Sequence, residues 1–149
     1  MATNIAFSGV DRRQPRVRPA LAAEYKQAHE HMLDAIGAMD ELSLGPVPSQ
    51  LRVSHTRLRI TRAGSESRAA YRRIIAILME SPDTIVTDAV ESVQRLHFQL
   101  TELSRRHMTT WTHDQACADW EGYCRSSAEV RQLWRESIDR ERRLIYPLL

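Results

Sequence analysis

The stretch WEGYCRSSAEVRQLWRESIDRERRLIYPLL, residues 120–149, decides the fold. Stepping along it by alternating threes and fours collects Trp120, Tyr123, Ser127, Val130, Trp134, Ser137, Glu141, Leu144 and Leu148 on one side. That alternation is the seam of a helix packed into a bundle. One member is out of character: Glu141 follows Trp134 by two turns and precedes Leu144 by one, so the pattern points a carboxylate inward. A buried carboxylate is costly unless it is protonated, ion-paired, hydrogen-bonded or bound to a metal. Glu141 is therefore the first candidate functional residue.

The same period recurs upstream. From Ala20 to about Ser43 the series Leu21, Tyr25, Ala28, Met32, Ala35, Met39 and Leu42 predicts a first helix, stopped by Gly45, Pro46 and Pro48. A second, about Ser49 to Glu80, faces inward with Val53, Thr56, Ile60, Ala63, Ser67, Ala70, Ile74 and Ile77. Its inward residues are small at the centre, leaving room for a large ring such as Trp134. Ser81 or Asp83 caps a third helix reaching Thr110, whose inward set is Ala89, Val93, Leu96, Leu100, Leu103 and His107, with Val90, His97 and Trp111 at its edge. After a break at Thr112–Asp114, a short helix carries Trp120. Gly122 is read as a bend, and the long final helix as starting near Ser126 or Ser127 and ending at Pro147.

Four long amphipathic helices with short links predict an all-α, antiparallel up-down-up-down four-helix bundle over residues 20–149. Residues 1–19, with Gly9, Pro15, Pro19 and the arginines Arg12, Arg13, Arg16 and Arg18, carry no apolar period and read as a mobile arm. The chain has 149 residues, 42% of them hydrophobic, enough for one domain with its own core. Its net charge is only +2, so the arginine excess is a weak pointer to polyanions, and nucleic acid is not the expected partner. Cys117 and Cys124, seven residues apart on helical sequence, sit about 10 Å apart and cannot bridge each other. They read as packed thiols. No leader-like segment and no run of membrane-spanning length is present, so the expected compartment is the cytoplasm.

In an alternating bundle, His29 or His31 of the first helix, His97 of the third and Glu141 of the last fall at about one level. His107 lies ten residues beyond His97, about 15 Å along the helix, too far to share one centre with it. The segment Glu141, Arg142, Arg143, Leu144, Ile145, Tyr146, Pro147, Leu148, Leu149, preceded by Ser137 and Ile138, resembles the end of hemerythrin-like HHE domains. There, a histidine, three residues, a glutamate and an aliphatic-aromatic-Pro-aliphatic run recur. His29 with Met32, Ile36 and Met39, and His97 with Leu100 and Leu103, look like the family's histidine-led helices. The resemblance implies non-haem iron, mono- or dinuclear, held by His29, His97, Glu141 and Glu66, and a sensing, storage or redox-related role rather than turnover. The chain departs from the pattern twice. Ser137 stands where the family's last helix has its histidine, and Arg62 falls near the second helix's histidine position.

The incomplete donor set leaves a second reading open, a metal-free scaffold or regulatory module that meets a protein partner or its own copy through exposed helix faces. In it Glu141 pairs with an arginine, Arg62, Arg72 or Arg73. The histidines are then core-edge side chains, and the three tryptophans serve packing. No phosphate loop, nucleophile elbow or closely spaced cysteine-histidine motif occurs.

Overall fold

The computed structural model describes residues 16–149. The arm expected over residues 1–19 thus lies outside the described residues up to position 15. Of its last residues, Val17 is buried in the same apolar cluster as Leu21 and Tyr71. Four long helices follow, α1 (Pro19–Leu44), α2 (Gln50–Leu78), α3 (Thr84–Thr110) and α5 (Trp120–Leu144), with a short α4 (His113–Ala118) before the last and a single 3-10 turn (Tyr146–Leu148) after it. Among the described residues there is no strand, and no helix is long and apolar enough to cross a membrane.

The helix ends follow local chemistry. Pro19 opens α1, where its missing N–H costs nothing. Ser49 caps α2 by accepting from the Arg52 N–H, and Asp83 caps α3 by accepting from the Ile85 N–H. Thr112 and Gln115 form a reciprocal capping box at α4.

The expected start of the last helix requires correction. It begins at Trp120, not near Ser126, because Asp119 breaks the chain and caps the new helix through the Gly122 N–H at 2.9 Å. Gly122 is therefore no bend. It is helical and buried, and a Cβ there would sit 2.8 Å from Trp111 and from the Asp119 carboxyl carbon, so the absent side chain is what lets Trp111 close onto α5.

The long helices pack as neighbours, α1 on α2 and α5, and α3 on α2 and α5. Their buried faces divide the core into three levels. Leu21 and Tyr25 from the start of α1 meet Ile74 and Leu78 from the end of α2, Val86 and Val90 from the start of α3, and Ile145 after α5. Met32, Ile36, Ala63, Leu100, Val130, Trp134 and Ile138 make the middle. Met39, Leu42, Val53, Trp120 and Tyr123 close the far level. Ser67 ties α2 to α1 by donating to the Ala28 carbonyl at 3.1 Å. The small centre of α2 does face the large ring: a Cβ on Gly64 would lie 3.4 Å from Trp134.

Candidate functional site

Glu141 is 3% exposed and points into the core between α1 and α5, as its place on the stripe requires. Its carboxylate can only accept hydrogen bonds, and three donors converge on it. The Tyr25 hydroxyl donates to Oε2, His29 Nε2 lies 3.0 Å from the same oxygen, and Ser137 Oγ donates to Oε1 at 3.0 Å. His29 is itself 1% exposed, and its Nδ1 is 2.6 Å from the hydroxyl of Tyr146, which the turn after α5 brings over the ring. With Nε2 donating to the carboxylate, a neutral imidazole accepts from Tyr146 at Nδ1. The rings of His29 and Tyr146 lie parallel with centroids 5.7 Å apart, and Tyr25 stands tilted to His29 at 4.4 Å. Burial first, and then the adjacent Glu141 charge, push the Tyr25 hydroxyl far above its ordinary range, so it stays a donor at any physiological pH.

The other expected ligands are elsewhere. His97 makes no hydrogen bond to Glu141. It stacks face to face on Tyr71, centroids 3.8 Å apart, with Nδ1 buried and unpartnered. Burial lowers its basicity, and the Glu141 charge opposes that only in part. Glu66 is about half exposed and pairs with His31 at 3.0 Å on the outer seam of α1 and α2. His107 donates to or accepts from Ser126 at 2.8 Å, towards the other end of α3.

Of the four expected positions, the structure brings His29 and Glu141 into contact but not His97 or Glu66. Both nitrogens of His29 and both oxygens of Glu141 are committed within the protein, and Glu66 faces away. Among the described residues no group of three or more His, Cys, Asp or Glu side chains is placed to hold an ion. The arginine partners expected for Glu141 are not its partners either: Arg73 pairs with Glu24, and the carboxylate is served by Tyr25, His29 and Ser137 instead.

Two features escaped the sequence reading. Tyr25 falls on the inward series of α1 as a core residue, although its position one turn before His29 on the same face already offers a hydroxyl at that level. Arg131, 5% exposed, was hidden because it lies next to Val130 on the seam and reads as surface. It donates to Asp40 of α1 at 2.6 Å and to the Ser127 carbonyl at 3.3 Å, while Arg135 takes the other Asp40 oxygen. Comparison with protein-family models, with curated proteins and with solved structures gives no match.

Proposed function

We propose that this chain is a non-catalytic helical module, an up-down-up-down four-helix bundle similar in layout to hemerythrin-like domains. In place of a metal centre it carries a closed network of hydrogen bonds, Tyr25–Glu141–His29–Tyr146 with Ser137. The observation that carries this reading is that protein groups already occupy both oxygens of Glu141 and both nitrogens of His29, so an incoming ion would have to displace hydrogen bonds already made. Such a network fixes the register of α1 against α5 and the turn after it. Function then belongs to the outer faces. The apolar side chains of Leu44, Val47 and Leu51, strongly exposed around the α1–α2 link, suit a protein partner or a second copy.

One observation favours the competing reading, in which His29, His97 and Glu141 hold a divalent ion: the unpartnered Nδ1 of His97. Metal analysis separates the two. Protein purified from iron-supplemented cells is expected to carry no stoichiometric iron, zinc or manganese, and His97→Ala to change nothing. One metal equivalent per chain, lost in both His97→Ala and His29→Ala, overturns the metal-free proposal.

A further inference from the structure

A cleft of about 80 Å³ opens between α2 and α3 and is floored by α5, away from the Glu141 network. Its polar lining is one-sided. Arg57 and Arg68 from α2, Ser104 and His107 from α3 and Arg131 from α5 face it, and no aspartate or glutamate does. Arg131 is neutralised by Asp40, but neither Arg57 nor Arg68 has a salt-bridge partner among the described residues. Both guanidinium groups are instead laid over aromatic faces, Arg57 at 5.3 Å from the Tyr123 ring centre and Arg68 at 5.7 Å from that of Trp134. Stacking satisfies the flat face of a guanidinium and leaves its N–H edge for another acceptor.

For Arg57 the Tyr123 hydroxyl meets part of that edge and leaves the rest unpaired. Arg57 Nη1 and Ser104 Oγ are both screened from water and without a hydrogen-bond partner. A buried donor left unmade is a standing cost, larger for a charged one, and an acceptor supplied from outside recovers it. Apart from Thr61 and Ser127, the remaining wall is apolar, with Met32, Ile60, Val130 and the Trp134 ring.

We propose that this cleft is a binding site for a small oxyanion, and specifically for the carboxylate of a short organic acid whose apolar body lies against Trp134 and Ile60. The Arg57 guanidinium matches a carboxylate in sign and fork geometry, and small turns of the Arg57 and Ser104 side chains bring their free donors onto its oxygens, while Arg68, about 16 Å further along α2 by helical rise, adds positive charge towards the other end of the cleft. The volume limits the seated part to a few heavy atoms, and the apolar wall favours a carboxylic acid over a bare inorganic ion. The site is independent of the metal-free reading of the Glu141 network and stands whether or not that reading does.

The test is calorimetric titration and thermal shift of the full chain, in a buffer free of competing anions, with butyrate and benzoate in one arm and inorganic phosphate in the other. Saturable binding of a carboxylate is expected, with Arg57→Gln weakening it by about tenfold or more, Arg68→Gln weakening it less, and Arg59→Gln, an exposed residue of the same helix, leaving it unchanged. Circular dichroism of each variant checks that the helices persist, and Ser104→Ala, a milder change, is expected to weaken binding less. Absence of saturable binding of both carboxylates at millimolar concentration overturns the proposal, as does binding that survives Arg57→Gln. Phosphate binding tighter than either carboxylate, with the same arginine dependence, overturns the organic-acid assignment.

Discussion

At the scale of single residues, Glu141 was legible because a charged side chain interrupted an otherwise regular seam, and periodicity reports such an exception well. Its partners were not, because hydroxyls on tyrosine and serine do not disturb a hydropathy pattern. Tyr25 and Ser137 were already on the predicted inward faces and needed only to be read as donors, whereas Tyr146 arrives by a turn that no helical count projects. The network makes a sharp expectation for stability. Glu141→Ala strands three donors in the core and is expected to lower the unfolding free energy by about 2–4 kcal/mol, and Tyr25→Phe by about 1–2 kcal/mol. Urea denaturation of both single variants and the double variant should give a double effect smaller than the sum, since the two changes remove a shared bond. His107 supplies a pH dependence. Burial, with Arg57 and Arg131 nearby, lowers its pKa to about 4, whereas the unfolded chain protonates near the ordinary value of about 6.5. The folded value being depressed, its contribution is complete above about pH 6.5 and falls away as the pH drops towards about 4, by roughly 1–2 kcal/mol after screening by solvent at the part-exposed ring. Denaturation midpoints for the native chain and His107→Gln should converge in acid and diverge at neutral pH; parallel curves would remove His107 as the cause.

At the scale of helices, apolar spacing placed the starts of α1, α2 and α3 within about a residue, and of the two caps offered for α3 it is Asp83 that accepts from the first turn, while Pro19, grouped with the arm, opens α1. The start of α5 was misplaced for a physical reason: a glycine in a helical pattern suggests flexibility, and only the approach of Trp111 from the end of α3 shows that Gly122 is required by space. The glycines therefore divide by position. Gly122→Ala is expected to cost about 1–3 kcal/mol by pushing Trp111 and Asp119 apart. Gly37→Ala, in the interior of α1 where an added Cβ meets nothing within 4 Å, is expected to gain about 0.5–1 kcal/mol. Thermal melts of the two variants should move in opposite directions, and a shift of the same sign in both would contradict this account of Gly122.

For the molecule as a whole, four helices and one shared core were evident from the spacing of apolar residues alone, because burial is what sets that spacing. The contents of the site were not. Sequence places His97 and Glu141 at a similar level, but the rotation of a helix by a few tens of degrees decides whether a ring turns to the centre or lies on a neighbouring tyrosine, and His97 lies on Tyr71. Glu66 likewise rotates outward to His31. On the metal-free proposal, hydrogen bonds within the protein alone hold that level, and a strong chelator is expected to leave the melting temperature unchanged, whereas a fall that added metal reverses would show an ion contributing to the fold. The pairing of Tyr25 with Glu141 also bears on biogenesis. The two are 116 residues apart in the chain, so during translation at about 5–20 residues per second α1 emerges roughly 6–23 s before the carboxylate it must meet. Throughout that interval the nascent chain carries an amphipathic helix with an unsheltered apolar flank, and a ribosome-associated holdase that shields such flanks would raise the yield of correctly assembled protein.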